Sequence, residues 1–248
     1  MKRALALTMA VGLAGARAAA EDTGPHWDYG AEHGPAHWAE MKTDYRTCGV
    51  GKHQSPIDIR DAEKAALPEI RFSYQSSEPK IVNNGHTIQV AVPPGSTISV
   101  GDHAYELQQF HFHTPSEEAV AGKRAPLVAH FVHKDAEGKL AVVAVLFEVG
   151  APSAALAPVF GKMPHHADTT VTLKETSIDP AAVLPAQRGY WEFEGSLTTP
   201  PCSEGVRWLV LRQHATLSKA QLEAFRKLYP DNARPLQPLN GRTVRASS

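Results

Sequence analysis

This sequence has few cysteines, almost no net charge and few long apolar runs. Each of these features, when abundant, marks a particular class of protein. The 25 basic and 26 acidic residues leave a formal net charge of −1, which gives no reason to expect nucleic acid or an anionic membrane surface as a partner. No stretch after the first twenty residues is apolar enough to span a bilayer, which takes about 20 such residues. With 42% hydrophobic and 21% charged residues, the composition is that of an ordinary globular protein.

The first twenty residues have the pattern of a signal peptide. Lys2 and Arg3 precede an apolar run over residues 4–16, and alanines at 18–20 provide a cleavage site. The run is too short for a membrane-spanning helix, and Arg17 follows it directly. We therefore expect residues 1–20 to be removed on export. Export leaves the mature chain in a periplasm or, as a second option, outside the cell.

The two cysteines, Cys48 and Cys202, are the sole candidates for a disulfide. In an oxidising compartment we expect them to pair, although two unrelated buried thiols are the alternative. A bond between them would tie the start of the domain to the segment around "SLTTPPC" (196–202). In the chain-entropy model so long a loop adds about 4–5 kcal/mol to the free energy of unfolding.

Repeats, low-complexity tracts and charged linkers are absent, so we expect a single domain over residues 21–248. Its most regular stretches alternate apolar and polar residues between turn signals, which predicts strands. The predicted strands cover residues 86–92, 96–100, 105–113, 126–133, 140–149 and 206–213. The clearest helical pattern covers residues 217–229, with Ser218 as N-cap. The predicted fold class is therefore mainly β with a few short helices.

Three histidines on neighbouring predicted strands give the strongest functional signal. In "QFHFH" (109–113), His111 and His113 lie on one face because alternate residues of a strand point the same way. His130 lies on the next long predicted strand, and "GKRAP" just before that strand is typical of a hairpin return. If the strands pair, the three imidazoles meet. Three neutral imidazoles bind zinc and leave a fourth tetrahedral position open, as in catalytic zinc sites.

Two other interpretations of the histidines stay open on these residues alone. The H-x-H pair can be an ordinary polar strand face in a chain with 13 histidines. The spacing of His111, His113 and Glu117 also fits the metal motif of cupin jelly rolls, in which the glutamate is a ligand of iron or manganese in an oxygenase or isomerase. Against a cupin, the glycine expected six residues before His111 and the later glycine-rich motif are missing.

Several further motifs occur in a fixed order along the chain. They are "HWDYG" and "GPAHW" (26–38), "QSPIDI" (54–59), "NNGH" (83–86), "QFHFH" (109–113), "AHFVH" (129–133), "SLTTPPC" (196–202) and "NARPLQP" (232–238). Together they resemble the α-class carbonic anhydrases, especially the exported bacterial ones, over essentially the whole mature chain. The order and compatible spacing make the resemblance highly specific.

The resemblance implies a single domain built on a large, twisted, mostly antiparallel central sheet, with zinc at the bottom of a conical cleft. His111, His113 and His130 match the family's zinc ligands. Thr198 matches a threonine that accepts a hydrogen bond from the zinc-bound hydroxide. Glu117 matches the glutamate that orients this threonine, so on this interpretation it is not a metal ligand.

The resemblance also assigns roles around the cleft. His86 in "NNGH" matches the histidine that carries protons to solvent, a task suited to an imidazole with an ordinary pKa near about 6.5; the alternative is a plain surface residue in a turn. Thr199 lies beside the substrate position. The apolar wall that holds carbon dioxide matches Val132, Val142, Leu197 and Trp208. The cysteine pair, Cys48 and Cys202, matches the family's disulfide, which steadies the loop that carries Thr198.

Two positions depart from the family pattern. The glutamate that the family usually has two residues before its third zinc histidine is replaced by Val128, and the histidine after the orienting glutamate is replaced by Glu118. Either His130 finds another acceptor or a water, or zinc is held less tightly; whether Glu118 compensates stays open. Gln109 and the carbonyl of Asn232 match the partners of His111 and His113.

The sequence therefore predicts an exported zinc enzyme that interconverts carbon dioxide and water with bicarbonate and a proton, with ester hydrolysis as a side activity. Attack by the zinc-bound hydroxide and proton transfer through His86 form the expected mechanism. A non-catalytic binding module of the same fold is the rival, but such modules lose ligand histidines and here all three are present. Expected partners are the small substrates, and a homodimer is one option for the oligomeric state.

Overall fold

The computed structural model describes residues 26–247. The predicted signal peptide, residues 1–20, lies outside the described residues. Within them the chain forms one 13-stranded sheet and one small three-stranded sheet, with a few short helices at the surface. The predicted fold class, mainly β with short helices, is confirmed.

The strands are short at both ends of the chain and long in its middle. In chain order they are β1 (Asp58–Ile59), β2 (Glu63–Ala65), β3 (Ile70–Ser73), β4 (Lys80–Asn83), β5 (Ile88–Ala91), β6 (Thr97–Val100), β7 (His103–His113), β8 (Ala119–Val120), β9 (Lys123–Arg124), β10 (Leu127–Lys134), β11 (Leu140–Val149), β12 (Thr169–Thr172), β13 (Tyr190–Ser196), β14 (Glu204–Leu211), β15 (Ala215–Leu217) and β16 (Arg245–Ser247). The helices are α1 (Trp38–Met41), α2 (Thr47–Val50), α3 (Ala157–Phe160) and α4 (Lys219–Arg226). Two 3₁₀ turns cover Thr43–Tyr45 and Pro180–Val183.

The large sheet follows the order β12-β4-β5-β7-β10-β11-β14-β13-β16-β2. Outside this order, β6 pairs with β7, β3 pairs with β6, and β15 pairs with β11. Most neighbouring strands are antiparallel. Among the described residues the parallel pairings are β11 with β14 and with β15, β16 with β2, and β1 with β8 in the small sheet. The expected mostly antiparallel central sheet is therefore confirmed.

β11 lies between β10 and β14, and residues 141–147 along it are buried. Its sequence is apolar on both faces, and burial on both faces is what such a strand needs. The neighbouring strands β7 and β10 divide their residues between two environments. Phe110, Phe112 and Phe131 have no exposed surface and join the main hydrophobic core. The opposite face of the same strands carries the histidines. Packing of the phenylalanines in the core therefore fixes the strands on which the candidate site is built.

Helix α4 packs on the main core through Leu222 and Phe225. Ser218 caps it as predicted, because the Ser218 hydroxyl accepts from the Gln221 backbone N–H while the Gln221 side chain accepts from the Ser218 backbone N–H. The helix covers residues 219–226, so the predicted range of 217–229 was three residues too long at its C-terminal end and also took in Leu217, which is the last residue of β15. Among the described residues, none of the helices combines the length and the apolar character that a membrane crossing requires.

Cys48 in α2 and Cys202 in the loop after β13 form a disulfide, as expected. The bond joins residues that lie 154 positions apart. It fixes the N-terminal segment against the loop that carries Thr198 and Thr199, at the edge of the candidate site.

We expect Phe131→Ala to lower the free energy of unfolding by about 3–5 kcal/mol, because it leaves a cavity behind the histidine face. Urea unfolding of the metal-free protein measures the change. Val149→Ala is the control, since Val149 is 48% exposed at the end of β11 and surface substitutions usually change stability by less than about 0.5 kcal/mol. Equal losses in the two variants would contradict this description of the core.

Candidate metal centre

The antiparallel pairing of β7 with β10 brings the three predicted ligands together. His130 lies directly opposite His111, and His113 lies two residues further along β7. One ligand atom from each of the three histidines lies within 4.8 Å of the other two, so the group can hold a metal ion. His113 and His130 are each 1% exposed, and His111 is half-buried. The structure therefore assembles the predicted histidine cluster.

Each imidazole has one nitrogen held by an acceptor on the outside of the cluster. His111 Nδ1 lies 2.9 Å from Gln109 Oε1, and His113 Nδ1 lies 2.7 Å from the backbone oxygen of Asn232. His130 uses its other nitrogen, Nε2, which lies 3.2 Å from Glu118 Oε2. All three acceptors can only accept, so each of these nitrogens carries the proton and donates.

The inward nitrogens are consequently Nε2 of His111, Nε2 of His113 and Nδ1 of His130, each of which carries a lone pair when its ring is neutral. His113 Nε2 is buried and has no hydrogen-bond partner among the described residues. An orphaned buried acceptor is costly unless something binds it. A divalent metal that prefers imidazole nitrogen, such as zinc, fits this donor set.

Burial sets the protonation of two of the rings. It lowers the pKa of His111 well below its ordinary value, with help from the neighbouring His113 and His130, and it lowers the pKa of His113 as well. For His130, burial acts the same way, but the charge of Glu118, the hydrogen bond to it and the charge of Glu117 together raise the pKa. His111 and His113 are thus neutral and ready to act as ligands.

Glu117 is fully buried beside the cluster. Its Oε1 accepts from the backbone N–H of Arg234 at 2.8 Å, and its Oε2 lies 3.5 Å from His113 Nε2 and 3.8 Å from His130 Nδ1. Within residues 26–247, Oε2 has no hydrogen-bond partner. The metal-holding group consists of the three histidines and does not include Glu117.

The side chain of Arg234 ties this region to the N-terminal segment. Its guanidinium is buried, and it donates to the backbone oxygens of Cys48 and Ser55 and to the Gln54 side chain, each at 2.8–2.9 Å. The positioning role of Arg234 was missed at the sequence level, although "NARPLQP" contains it. The available signal was an arginine inside a quoted motif. Its burial, seen only in the structure, shows that it needs partners, because arginine is rarely buried without them.

Thr198 and Thr199 lie on the loop after β13. Thr198 is 6% exposed, and no hydrogen bond from it reaches Glu117 Oε2, which has no partner among the residues described. The loop is closed by the backbone N–H of Cys202 donating to the oxygen of Thr199 at 2.9 Å. Gln54 also donates to the oxygen of Cys202 at 3.0 Å. The disulfide and these bonds give the loop a fixed shape.

The predicted apolar wall is assembled as one cluster. Trp208 and Val142 are both 2% exposed and belong to a buried hydrophobic cluster, and Val132 and Leu197 pack against it. The centroids of the Trp208 and His130 rings lie 4.9 Å apart in an edge-on arrangement. An apolar surface therefore borders the histidine cluster directly.

A cavity of about 130 Å³ opens onto the cluster. Its wall contains His111, His113, Thr199 and the predicted proton carrier His86. The His86 ring stacks on Trp27, with centroids 3.5 Å apart and planes 5° apart, and lies 4.6 Å from the ring of His26. Burial, and then His26, lower the pKa of His86 to about 4. Trp27 and His26 were not singled out at the sequence level, although both belong to the quoted "HWDYG".

Comparisons with known proteins agree with this geometry. A family model described as eukaryotic-type carbonic anhydrase matches residues 33–248. The chain belongs to the α-class carbonic anhydrases. A carbonic anhydrase of Pectobacterium carotovorum is 45% identical over 220 residues, which cover 88% of this chain and 90% of the relative. One of Klebsiella pneumoniae is 46% identical over 222 residues, which cover 88% and 90%. The solved α-carbonic anhydrase of Thermovibrio ammonificans in complex with the inhibitor sulfanilamide is 45% identical, with a TM-score of 0.86, over 91% of this chain and all of that one.

Membership in the carbonic anhydrases makes the chain a lyase of the family whose general activity is carbon dioxide hydration. The cupin interpretation, with Glu117 as a ligand of iron or manganese, is therefore wrong. The strands around the histidines form the sheet of a carbonic anhydrase, which is also the fold of the solved neighbours.

The two departures from the carbonic anhydrase pattern meet at His130. Val128 lies two residues before His130 on β10, has no exposed surface and packs in the apolar cluster with Val142 and Trp208. It offers no acceptor. Glu118 Oε2 lies within hydrogen-bonding distance of His130 Nε2 instead. Of the outcomes that the sequence left open, the structure therefore has the one in which His130 finds another acceptor.

We expect Trp27→Ala to raise the pKa of His86 from about 4 toward the ordinary value, because the ring loses the indole that shields it from water. NMR titration of the His86 ring protons measures the pKa. His26→Ala gives a smaller rise, since burial is the larger cause of the shift. A pKa unchanged in Trp27→Ala would rule out the stacked indole as the source of the shift.

Proposed function

We propose that this chain is a zinc enzyme that converts carbon dioxide and water to bicarbonate and a proton, reversibly. One observation carries the proposal. Three imidazoles converge with their inward nitrogens free, while each outward nitrogen donates to a fixed acceptor, at 2.9, 2.7 and 3.2 Å. Such outer acceptors fix the tautomer and orientation of a ligand histidine and raise its basicity.

Zinc held by three histidines supplies a Lewis acid that lowers the pKa of bound water to about 7, a value for which carbonic anhydrase is itself the standard example. The neutral state of His111 and His113 supports zinc binding, because a ligand imidazole must be deprotonated at the binding nitrogen. Ligand residues are three in number, which matches catalytic zinc sites rather than the four-ligand structural ones.

The substrate side of the proposed site is apolar. Carbon dioxide has no net dipole, and the cluster around Val142 and Trp208, bordered by Val132 and Leu197, offers it a surface with no competing hydrogen bonds. Burial of nonpolar surface favours such a ligand by about 25 cal/mol per Å². We place Thr199, which lines the cavity, beside the substrate. We propose Thr198 and Glu117 as the pair that orients the attacking oxygen; no hydrogen bond joins Thr198 to Glu117 Oε2 in this structure, so the pair would have to form one when substrate and metal are bound.

His86 is our proposed proton carrier, since its ring lines the same cavity as His111 and Thr199. Its half-buried position lets it exchange protons with both the cleft and solvent. A pKa of about 4 keeps the ring neutral at pH 7, ready to accept a proton. It also makes the ring a weak base, so the stacking on Trp27 is expected to limit the transfer.

We further propose that the mature chain works outside the cytoplasm, most simply in a periplasm. The disulfide between Cys48 and Cys202 supports an oxidising compartment. The relatives that the chain matches over most of its length include bacterial carbonic anhydrases. Residues 1–20 are expected to direct the export and to be removed.

We expect the purified mature chain to contain one zinc per chain and to hydrate carbon dioxide rapidly. Metal analysis and stopped-flow hydration with a pH indicator measure the two properties. Chelation of zinc should abolish the activity, and sulfanilamide, which inhibits the Thermovibrio ammonificans relative, should block it. The oxidised mature protein, with Cys48 and Cys202 paired, is the form to assay.

A chain that binds zinc tightly but shows no hydration above the buffer rate would favour the rival, a non-catalytic binding module. His113→Ala provides the matched negative, because it removes one ligand and leaves the apolar wall intact. Hydration that survives both chelation and His113→Ala would contradict the zinc mechanism.

We expect His86→Ala to lower the maximal hydration rate at least several-fold in weak buffer and to leave zinc content unchanged, because proton release to solvent becomes slow. Stopped-flow measurements at increasing imidazole buffer should restore the rate, since free imidazole can replace the missing ring. His214→Ala, which removes an exposed histidine paired with Glu148, is the control. A loss of rate that imidazole does not restore would argue against a carrier role.

A further inference from the structure

We propose that Glu118 is a positioning residue that fixes His130 as a zinc ligand and strengthens the hold on zinc, from a segment outside both ligand strands. The inference deepens the proposed function and rests on it. Glu118 lies between β7 and β8. Its Oε2 lies 3.2 Å from His130 Nε2, the nitrogen that faces away from the metal position.

The pair is completely enclosed. Glu118 is 0% exposed and His130 is 1% exposed. The other carboxylate oxygen of Glu118, Oε1, is buried and has no hydrogen-bond partner in the part of the chain that the structure describes. A carboxylate in such a place is costly unless a specific partner compensates it, and His130 is the one hydrogen-bonding side chain that the structure gives it. The contact therefore accounts for why an acid is tolerated here.

The backbone around Glu118 is held by bonds that do not involve the histidines. The Ser116 hydroxyl donates to the oxygen of Glu118 at 2.7 Å and accepts from the backbone N–H of Ala125 at 2.9 Å. The next residue, Ala119, donates to the oxygen of Ile57 at 3.2 Å. The carboxylate is thus aimed at His130 by the fold itself, which is what a preorganised acceptor requires.

Among the three outer acceptors, Glu118 alone is a carboxylate. His111 donates to the amide oxygen of Gln109 and His113 to a peptide oxygen, and both of these acceptors are neutral. Hydrogen bonds to ionised acceptors are roughly twice as strong as neutral ones. They also push electron density onto the ring, so His130 is the ligand whose binding to zinc gains most from its partner.

The strand that carries His130 has no acceptor of its own near that ring. Val128 shares the face of His130, two residues away, but is apolar and fully buried. Glu118 therefore supplies from another segment what an acid at position 128 would supply from the same strand. His130 Nε2 has one proton to donate, so a second buried carboxylate beside it would lack a donor.

The test measures zinc dissociation into excess chelator for the oxidised mature protein and its variants. Glu118→Gln keeps the shape and an oxygen acceptor but removes the charge, and Glu118→Leu removes both. We expect zinc to dissociate about 10-fold faster from Glu118→Gln and up to about 100-fold faster from Glu118→Leu, the range seen when such partners are lost. Glu148→Gln is the matched control, since Glu148 also pairs with a histidine, His214, at 3.0 Å but on the surface.

A rescue variant separates positioning from general stability. Glu118→Gln combined with Val128→Glu should bring the dissociation rate back toward that of the parent chain, because the acid returns on the same face as His130. Val128→Glu alone should not slow dissociation, because His130 already has its acceptor. Thermal unfolding of each metal-free variant shows whether it is folded.

NMR gives a readout that does not depend on activity. In the zinc-loaded protein the His130 Nε2 proton should be shifted downfield and exchange slowly, and Glu118→Leu should abolish that signal while the Nδ1 protons of His111 and His113 remain.

An unchanged zinc dissociation rate in folded Glu118→Gln and Glu118→Leu would overturn the inference. It would also be overturned if Glu148→Gln increased the zinc dissociation rate as much as the Glu118 variants do. If the parent chain holds zinc but does not hydrate carbon dioxide, the proposed function fails while the zinc measurements still decide the role of Glu118.

Discussion

The register between β7 and β10 is the constraint on which the candidate site depends. His130 faces His111 across the pair, and Phe131 faces Phe110 on the neighbouring positions. A slip by one residue would turn the aromatic side chains toward the cleft and the histidines into the core. Burying each phenylalanine contributes about 1.5–3 kcal/mol. This free energy therefore favours the one register in which the three histidines meet. The core and the site are two faces of the same strands, so neither can change register alone.

The cluster is completed by residues that arrive from distant parts of the chain. Asn232 accepts from the ring of His113 and also uses its side chain to bind the backbone of Thr114, Phe112 and His86. Two residues later, Arg234 binds Glu117 through its backbone and the N-terminal segment through its guanidinium. The disulfide closes the same group of segments. One short C-terminal stretch thus holds the end of β7, a buried carboxylate and the region around Cys48 in one arrangement.

The features that could be predicted from the sequence are those with a local pattern, such as the alternation of residues along a strand or the cap of a helix. The central strands, the cap at Ser218 and the shared face of His111 and His113 follow from local periodicity, which is why they were predicted correctly. Strands of two or three residues, such as β1, β2 and β16, are too short to establish a period, and these three were not predicted. The contacts of Glu118 and Arg234 depend on how far a side chain reaches across the folded chain, which no local pattern encodes. The burial that lowers the pKa of His86 is likewise non-local, since the ring stacks on Trp27, which lies 59 positions away in the sequence.

The charges around the three histidines would favour a cation in the proposed metal centre. Glu117 and Glu118 are adjacent, and both are fully buried beside three imidazoles. Arg234 stands near Glu117, and its guanidinium is directed to the backbone of Cys48 and Ser55 rather than to either carboxylate. The nearest groups that can balance the two carboxylates are therefore the histidines or an ion that the histidines hold. A divalent cation held by the histidines would balance both carboxylates at once, whereas among the three rings only His130 has a raised pKa and could supply one positive charge. The two buried carboxylates would thus favour a doubly charged metal ion over a neutral ligand beside the histidines.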